Sequence, residues 1–336
     1  MDLPDFPSRL VATLVCLTGF ICTAPHAAAQ VASPSSGQAY PSKPVQLIVP
    51  YTAGGGADVV MRAVAQRLAE AWGKNVIVEN RAGASGMIGT ELVTRAEPDG
   101  YTLLGHTSSY PATAAIREKL PFDPARAIVP VAAIARTPLV LAVHPSVPAK
   151  TIKELVSLAK ANPAKLNYSS AGTGGNNHFA ASLFASAAGI SLTHIPYKGV
   201  AEATVALMSG EVEILFASPP AVKPQLKSGR LRALGVTSPG PSALLPGLPA
   251  IAQSGVPGFS YELWWALFAP AGITAERRNF IAAAVSHMLA GADMKKFLSD
   301  QSLEPWTLSS AQLNDLLPKE IEGYRKAAKA AGIAPQ

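Results

Sequence analysis

The stretch VQLIVPYTAGGGADVVMRAVAQRLAEAW (45–72) decides the fold, because an apolar run meets three glycines and then a helical pattern. The run 45–51 predicts a buried strand, and 57–72 predicts a helix. A helix start presents unpaired backbone N–H groups and the positive end of the helix dipole. Because glycine has no side chain, an anion can approach such a backbone closely. The turn therefore predicts an anion site, with a tight turn that holds no ligand as the alternative.

Two nucleotide-binding loops do not match this turn. A Walker A loop ends in Gly-Lys-Ser or Gly-Lys-Thr, whereas here Gly56 is followed by Ala57 and Asp58. A dinucleotide-binding fingerprint needs a third glycine where this chain has Val59. What remains is the anion affinity of a bare helix start.

A second glycine-rich turn repeats the arrangement. SSAGTGGNNHFA (169–180) reads as a strand end, three glycines and a helix start. One such turn in each of two lobes, both facing one crevice, is the geometry of a clamshell receptor. A third turn, RAGASGMIG (81–89), is interpreted as close packing of a helix start, with at most indirect contact to a ligand. Hydroxyls in HTSSY (106–110) are expected to reach the crevice from a strand end.

The rest of the chain alternates strand-like and helix-like segments, which predicts an α/β protein with largely parallel sheets. A second α/β series begins near residue 138, and an extended segment at 257–272 crosses back before two last helices, 275–290 and 311–332. We therefore predict two lobes with a ligand crevice between them. The predicted divisions are a signal peptide at 1–29, a linker at 30–42, lobe 1 at 43–137 and 263–336, and lobe 2 at 138–262.

The N-terminus indicates export. LVATLVCLTGFIC (10–22) has the length of a signal-peptide apolar region and is shorter than the roughly 20 residues that span a bilayer. Ala27–Ala29 offers a cleavage site before Gln30, so we expect a periplasmic protein, with a retained anchor as the alternative. Both cysteines lie in the segment that would be removed, which excludes a disulfide or a thiolate site from the mature chain.

Composition and motifs exclude several function classes. The net charge of +6 is dispersed without a run of Lys or Arg, which argues against nucleic-acid binding. Ser157 and Lys160 form an S-x-x-K pattern, but it lies within a predicted helix and its usual partner motifs are missing. Neither a G-x-S-x-G motif nor a helical pair of histidines is present. We therefore expect no catalytic residues, no metal and no cofactor.

The chain closely resembles the periplasmic substrate-binding proteins of tripartite tricarboxylate transporters, the Bug or TctC family. The resemblance covers about 43–335 and rests on segments that follow one another in family order, among them VIVENRAGASGMIG, PDGYTLLGHTSS, HIPYKG, SGRLRALGVTS and LPGLPAIAQSGVPGF. It implies a two-lobe periplasmic-binding-protein fold of the type II kind, which is not an enzyme. It also implies a small organic carboxylate as ligand and a membrane permease as partner.

By matching position, the resemblance assigns ligand binding to loops of both lobes. The assigned residues are Tyr51, Thr52, Ala53, Gly54, Gly55, Asp58, Thr107 and Ser108 in lobe 1, and Thr173, Gly174, Asn177, His178, Tyr197, Lys198 and Ser218 in lobe 2. The chain departs from the family where Thr52-Ala53 precedes the glycines, where His106 replaces a glycine, and where Ala217 follows Phe216 instead of an aspartate.

The missing aspartate makes a ligand with an ammonium group unfavourable, because a desolvated cation needs a partner. We therefore expect a di- or tricarboxylate or an aromatic acid rather than an amino acid. A sensing protein that contacts a sensor kinase is the alternative to transport, and a hydrolase of the crevice is the third possibility. The expected oligomeric state is a monomer.

Overall fold

The computed structural model describes residues 40–336. The predicted signal peptide and the linker up to residue 39 lie outside this range. The described part contains eleven strands in two sheets and ten α-helices, with short 3-10 turns at Ala84–Gly86 and Ile251–Gln253. Within residues 40–336, no helix has the length and apolar character that a membrane span requires.

Most strands have two to six residues, and two are longer. The strands are β1 (Val45–Val49), β2 (Val76–Asn80), β3 (Thr102–Thr107), β4 (Ile128–Pro138), β5 (Val140–Val143), β6 (Asn167–Ser170), β7 (Thr193–Pro196), β8 (Ile214–Ala217), β9 (Arg232–Val236), β10 (Glu262–Pro270) and β11 (Glu304–Pro305). The two long ones are β4 with 11 residues and β10 with 9.

The helices mostly follow strands. They are α1 (Gly56–Trp72), α2 (Met87–Thr94), α3 (Ser109–Ile116), α4 (Ile152–Ala161), α5 (Asn176–Ala188), α6 (Val200–Ser209), α7 (Pro219–Lys227), α8 (Ala275–Ala290), α9 (Ala292–Asp300) and α10 (Ser310–Ala330). Helix α1 forms because Val60, Val64 and Leu68, spaced four apart, bury one face completely. It ends at Gly73, whose φ of 61° suits a glycine.

Two sheets define two lobes with a crevice between them. The first has the order β11-β4-β10-β3-β1-β2 and the second β7-β6-β8-β5-β9. We call each sheet with its packed helices lobe 1 and lobe 2, and the residue boundaries predicted above stay a prediction. In β1, Leu47 packs into one apolar cluster and Ile48 into another, so helices cover both faces of the sheet.

The prediction of largely parallel sheets is wrong. Parallel pairs join β1 to β2 and β3, and β6 to β7 and β8, but β10 runs antiparallel to β3 and β4, and β5 runs antiparallel to β8 and β9. The physical reason is the crossing of the chain. Strand β10 returns from lobe 2 and inserts between β3 and β4, against the direction of β3.

Two connections between the lobes run side by side. The first passes from β4 to β5 at Leu139, and the second enters β10 after Tyr261. The Thr237 hydroxyl accepts the backbone N–H of Leu139 at 2.8 Å and donates to the carbonyl of Tyr261 at 2.6 Å. Thr237 therefore ties the two crossing segments together at the hinge.

Candidate ligand-binding site

A small cavity lies between the lobes, at the ends of strands β1, β3 and β8. We call it the inner cavity, and its lining residues are Tyr51, Gly55, Gly56, Ala57, Thr107, Ser109, Leu139, Ala171, Asn176, Asn177, Val200, Ser218, Leu263 and Trp265. Its volume is about 50 Å³. A ligand enclosed here must be small.

The first glycine loop (52–56) is shaped by Asp58. Gly54 has a φ of 78° and donates its N–H to Asp58 Oδ2 at 2.9 Å. The same carboxylate accepts from Arg62 Nε and Asn80 Nδ2, each at 2.9 Å. Burial raises the pKa of Asp58, but these hydrogen bonds outweigh burial and hold the pKa below its ordinary value. Asp58 is thus an ionised brace for the loop.

Helix α1 turns its start toward the inner cavity. Gly55 is its N-cap and offers no side chain, and the first N–H that bonds back into the helix is that of Val59, to Gly55 O at 3.0 Å. The N–H groups of Gly56 and Ala57 have no acceptor within the helix, and both residues line the cavity. The bare turn therefore directs backbone donors and a helix dipole at the enclosed space.

Neutral hydroxyls complete the lobe 1 wall. The Tyr51 hydroxyl contacts Thr107 Oγ1 at 2.9 Å and His106 Nδ1 at 3.1 Å. Burial raises the pKa of Tyr51, and burial lowers the pKa of His106 to about 3. Both side chains are therefore neutral at physiological pH, and this wall can hydrogen-bond an anion without a formal charge.

Lobe 2 contributes Asn177 from the start of α5 and Ser218 from the start of α7. Asn177 Nδ2 donates to the carbonyl of Phe216, which fixes its amide. The next residue, His178, accepts the N–H of Gly174 on Nδ1 at 3.1 Å. Burial and the stacked ring of His194 lower the pKa of His178 to about 3, so this ring is also neutral.

The structure distributes the fifteen predicted residues over three places. Five of them line the inner cavity: Tyr51, Gly55, Thr107, Asn177 and Ser218. Three line a larger outer cavity: Thr173, Tyr197 and Lys198. The remaining seven line neither cavity: Thr52, Ala53, Gly54, Asp58, Ser108, Gly174 and His178. No contact with a ligand tests these assignments, which stay predictions.

The outer cavity shares Ala171 with the inner one. Its lining residues are Gly83, Ala84, Ser85, Arg117, Ala171, Gly172, Thr173, Pro196, Tyr197, Lys198, Glu202 and Gln336. Measured in the same way, it holds about 480 Å³. Its lining includes charged side chains of both signs, Arg117, Lys198 and Glu202, whereas none of the residues that line the inner cavity has a charged side chain.

Several lining residues were not predicted as ligand contacts from the sequence. Gly56 and Ala57 could have been found from the helix start, and Asn176 and Ser109 from their positions beside predicted residues. Trp265 lines the inner cavity, and its buried Nε1 has no acceptor among residues 40–336. Its neighbour Trp264 instead donates to Glu320 at 3.0 and 3.1 Å. The pair W-W alone does not tell which indole faces the cavity.

Within residues 40–336, no group of three or more His, Cys, Asp or Glu side chains is arranged to hold a metal ion. The inner cavity offers hydroxyls, two side-chain amides, an indole and backbone N–H groups, all of them neutral. Such a set of groups binds and orients an anion. The fold and site together define a two-lobe solute-binding protein.

Comparison with known proteins identifies the family. Residues 60–333 match the model of the tripartite tricarboxylate transporter family receptor, TctC, and the chain belongs to this family. The family is one of substrate-binding proteins, not enzymes, as the resemblance implied.

Three solved structures are similar over nearly the whole described chain. The Rhodopseudomonas palustris protein Rpa4515 with adipate is 34% identical, with a TM-score of 0.86, and the match covers 88% of this chain and 100% of that one. The periplasmic binding protein BugD is 29% identical, with a TM-score of 0.84, over 88% and 100%. MatC from Rhodopseudomonas palustris with bound malate is 28% identical, with a TM-score of 0.81, over 86% and 99%.

Proposed function

We propose that this protein is exported to the periplasm, captures a small organic carboxylate in the inner cavity and delivers it to a tripartite tricarboxylate transporter-type permease. The single observation that carries the proposal is the start of helix α1. Its unpaired N–H groups at Gly56 and Ala57 lie at a cavity between the two lobes that no charged side chain lines. Adipate and malate in two related proteins support a carboxylate as the ligand class.

The energy of such a site is sufficient without a cationic side chain. A hydrogen bond to a charged group contributes about 1.5–3 kcal/mol. A micromolar ligand needs about 8 kcal/mol of net binding free energy. A few bonds from the α1 start, the Ser109 hydroxyl and the Trp265 indole would supply this, while Leu139 and Val200 cover the ligand's apolar part.

The cavity also supports a ligand without an amino group. No acidic side chain lines it, and Ala217 stands where the family often has an aspartate. An ammonium group enclosed here would be desolvated without a partner. We therefore propose a di- or tricarboxylate, or an aromatic acid, in preference to an amino acid, and we expect the receptor to act as a monomer.

Isothermal titration of the purified protein tests the ligand class. We expect adipate or malate to bind more tightly than aspartate or glutamate. Ser218→Ala, which removes a cavity hydroxyl, is expected to lower the affinity about tenfold, while Ser209→Ala at the far end of α6 leaves it unchanged. Tighter binding of either amino acid than of any carboxylate without an amino group would contradict the proposal.

Delivery and export have tests of their own. A strain that lacks this chain is expected to lose uptake of the radiolabelled acid, and cellular uptake that persists would favour a sensing role through a kinase partner.

Mass measurement of the protein isolated from the periplasm is expected to show cleavage near Ala29. A full-length product in the membrane fraction would favour the retained anchor.

A further inference from the structure

The second glycine loop (172–176) of lobe 2 meets lobe 1 through its backbone. The Thr173 carbonyl accepts a hydrogen bond from Ser85 Oγ at 2.8 Å. The Gly174 carbonyl accepts one from Thr113 Oγ1 at 3.0 Å. Both contacts join the lobes directly, and neither donor lines the inner cavity. The loop that repeats the anion-binding pattern is therefore occupied by protein hydroxyls on its carbonyl side.

Asn176 makes the densest contact between the lobes. Its backbone N–H donates to Ser109 Oγ at 3.0 Å, and its Nδ2 donates to Thr107 Oγ1 at 3.2 Å. Its Oδ1 accepts from Ser108 Oγ at 3.0 Å and from the Tyr261 hydroxyl at 2.7 Å. Asn176 thus holds three consecutive hydroxyls at the end of β3, those of Thr107 and Ser108 through its buried side chain and that of Ser109 through its backbone N–H. The hydroxyl residues Thr107 and Ser109 line the inner cavity.

The turn that carries Ser85 is built for this contact. Four consecutive residues have positive φ: Gly83 at 135°, Ala84 at 48°, Ser85 at 54° and Gly86 at 98°. Non-glycine residues rarely adopt this conformation, and they persist in it where the surrounding structure demands it. Here the strained turn brings Ser85 Oγ against the second glycine loop.

Glycines on the other side permit the close approach. A Cβ on Gly172 would lie 2.7 Å from Ser85 Oγ, and one on Gly174 would lie 2.8 Å from Ile116 Cδ1. Both are closer than real Cβ contacts, so a side chain at either position would have to displace Ser85 or Ile116 of lobe 1. Gly172 and Gly174, which belong to a predicted anion-binding turn, thus also permit the close contact between the lobes.

We propose that the second glycine loop is a closing latch and that Asn176 is a positioning residue, which sets the ligand-facing hydroxyls of Thr107 and Ser109 only when the lobes are closed. Because these contacts are between protein groups, the closed state is populated before a carboxylate binds. The apparent dissociation constant is the intrinsic one divided by the closed fraction. The latch therefore changes the affinity of the site and not its ligand specificity. This inference rests on the proposed function.

The double variant Ser85→Ala/Thr113→Val tests the latch without changing a residue of the inner cavity. Small-angle X-ray scattering of the ligand-free wild type is expected to match the closed structure, and the variant is expected to have a larger radius of gyration. Loss of two hydrogen bonds between the lobes is expected to weaken adipate binding about tenfold. Wild type and variant with identical scattering, or a wild type that scatters as an open form, would overturn the proposal.

A second pair of variants isolates Asn176. Asn176→Ala is expected to open the ligand-free protein in scattering, and Asn176→Asp, which keeps the acceptor for Ser108 and Tyr261, is expected to restore closure. The control Asn162→Ala removes an exposed side-chain bond within lobe 2 and leaves scattering unchanged. If Asn176→Ala scatters as the wild type, Asn176 has no part in closure. The scattering measurement needs no ligand. Failure of adipate to bind would therefore contradict the proposed function, and the scattering test of the latch would still be valid.

Discussion

The two glycine loops have nearly the same backbone and different neighbours. Gly55 and Gly175 are N-caps with φ and ψ of −75° and 165° in one and −76° and 167° in the other. Gly54 and Gly174, with φ of 78° and 85°, each donate an N–H to the side chain four residues on. A repeated backbone thus does not imply a repeated function, because the neighbours decide which of its groups are free.

The difference lies in the side chain that braces each loop. Asp58 in the first loop is ionised and paired with Arg62, whereas His178 in the second is neutral and stacked on His194. The first loop leaves its helix N–H groups to the cavity. In the second, carbonyls and one helix N–H, that of Asn176, are used by lobe 1. The first loop is a candidate ligand cradle, and the second is a candidate latch.

The largest expected effect comes from blocking closure over the first loop. Gly199 of lobe 2 approaches Thr52, and a Cβ there would lie 2.7 Å from Thr52 Cγ2 and 2.9 Å from Thr52 Cβ. Its φ of −167° suits any residue, so Gly199→Ala is expected to fold normally and to hold the lobes apart. We expect carboxylate affinity to fall more than about tenfold in isothermal titration, since closure completes the site.

A rescue and a control make this prediction specific. Thr52→Gly in the Gly199→Ala background removes the clash and is expected to recover most of the affinity. Gly323→Ala adds a Cβ on α10 where nothing lies within 4 Å and is expected to leave affinity unchanged. Wild-type affinity in Gly199→Ala would show that the first loop works in an open form.

Asp58→Asn is expected to have the next largest effect, on the first loop alone. The amide cannot accept from Gly54, Arg62 and Asn80 together, because its nitrogen carries hydrogens where an acceptor is needed. Leaving buried donors unpaired costs about 1–3 kcal/mol in the free energy of unfolding. Denaturant unfolding measures this loss, and the exposed Asp293→Asn is the control. Equal loss in both variants would mean that Asp58 is no brace.

Much of this fold was readable from the sequence because strand and helix patterns were strong and local. The apolar run of β1, the spacing of α1 and the glycines of both loops predicted elements within a few residues of those observed. Strand β4 was missed because Pro130 and Pro138 interrupt its pattern. Helix α9 was missed because Gly291 both ends α8 and starts α9, so the two read as one helix and a tail.

The site was less readable, because sequence patterns show which groups exist and not which are already used. The strand-glycine-helix pattern suggested one anion site in each lobe. It could not reveal that Ser85 and Thr113, far away in sequence, occupy the carbonyls of the second loop. Nor could it reveal that Trp265 faces the cavity while Trp264 pairs with Glu320. Such facts depend on tertiary contacts between residues 56 or more positions apart.

The smallest expected effect is a difference in the pH dependence of stability between Asp58 and His178, the side chains that brace the two loops. The folded protein keeps His178 neutral with a pKa of about 3, while the unfolded chain takes up a proton near pH 6.5. Between these values the unfolded state binds more protons, so the free energy of unfolding falls as the pH falls from about 6.5. The pKa of Asp58 lies below 3.8, so its contribution is lost only in stronger acid. As the pH falls, the contribution of the second loop to the free energy of unfolding should therefore be lost before that of the first.

His178→Gln tests this order, because glutamine is similar in size and does not titrate. At pH 7.5 the variant is expected to lie within about 1 kcal/mol of the wild type, and its stability is expected to fall less steeply between pH 6.5 and 4.5. Denaturant unfolding at several pH values measures both slopes, with the exposed His287→Gln as control. Burial also lowers the pKa of His194, to about 4, so the stability of His178→Gln is expected to keep part of its dependence on pH. Parallel curves for the wild type and His178→Gln would show that the neutral ring does not couple the second loop to acid.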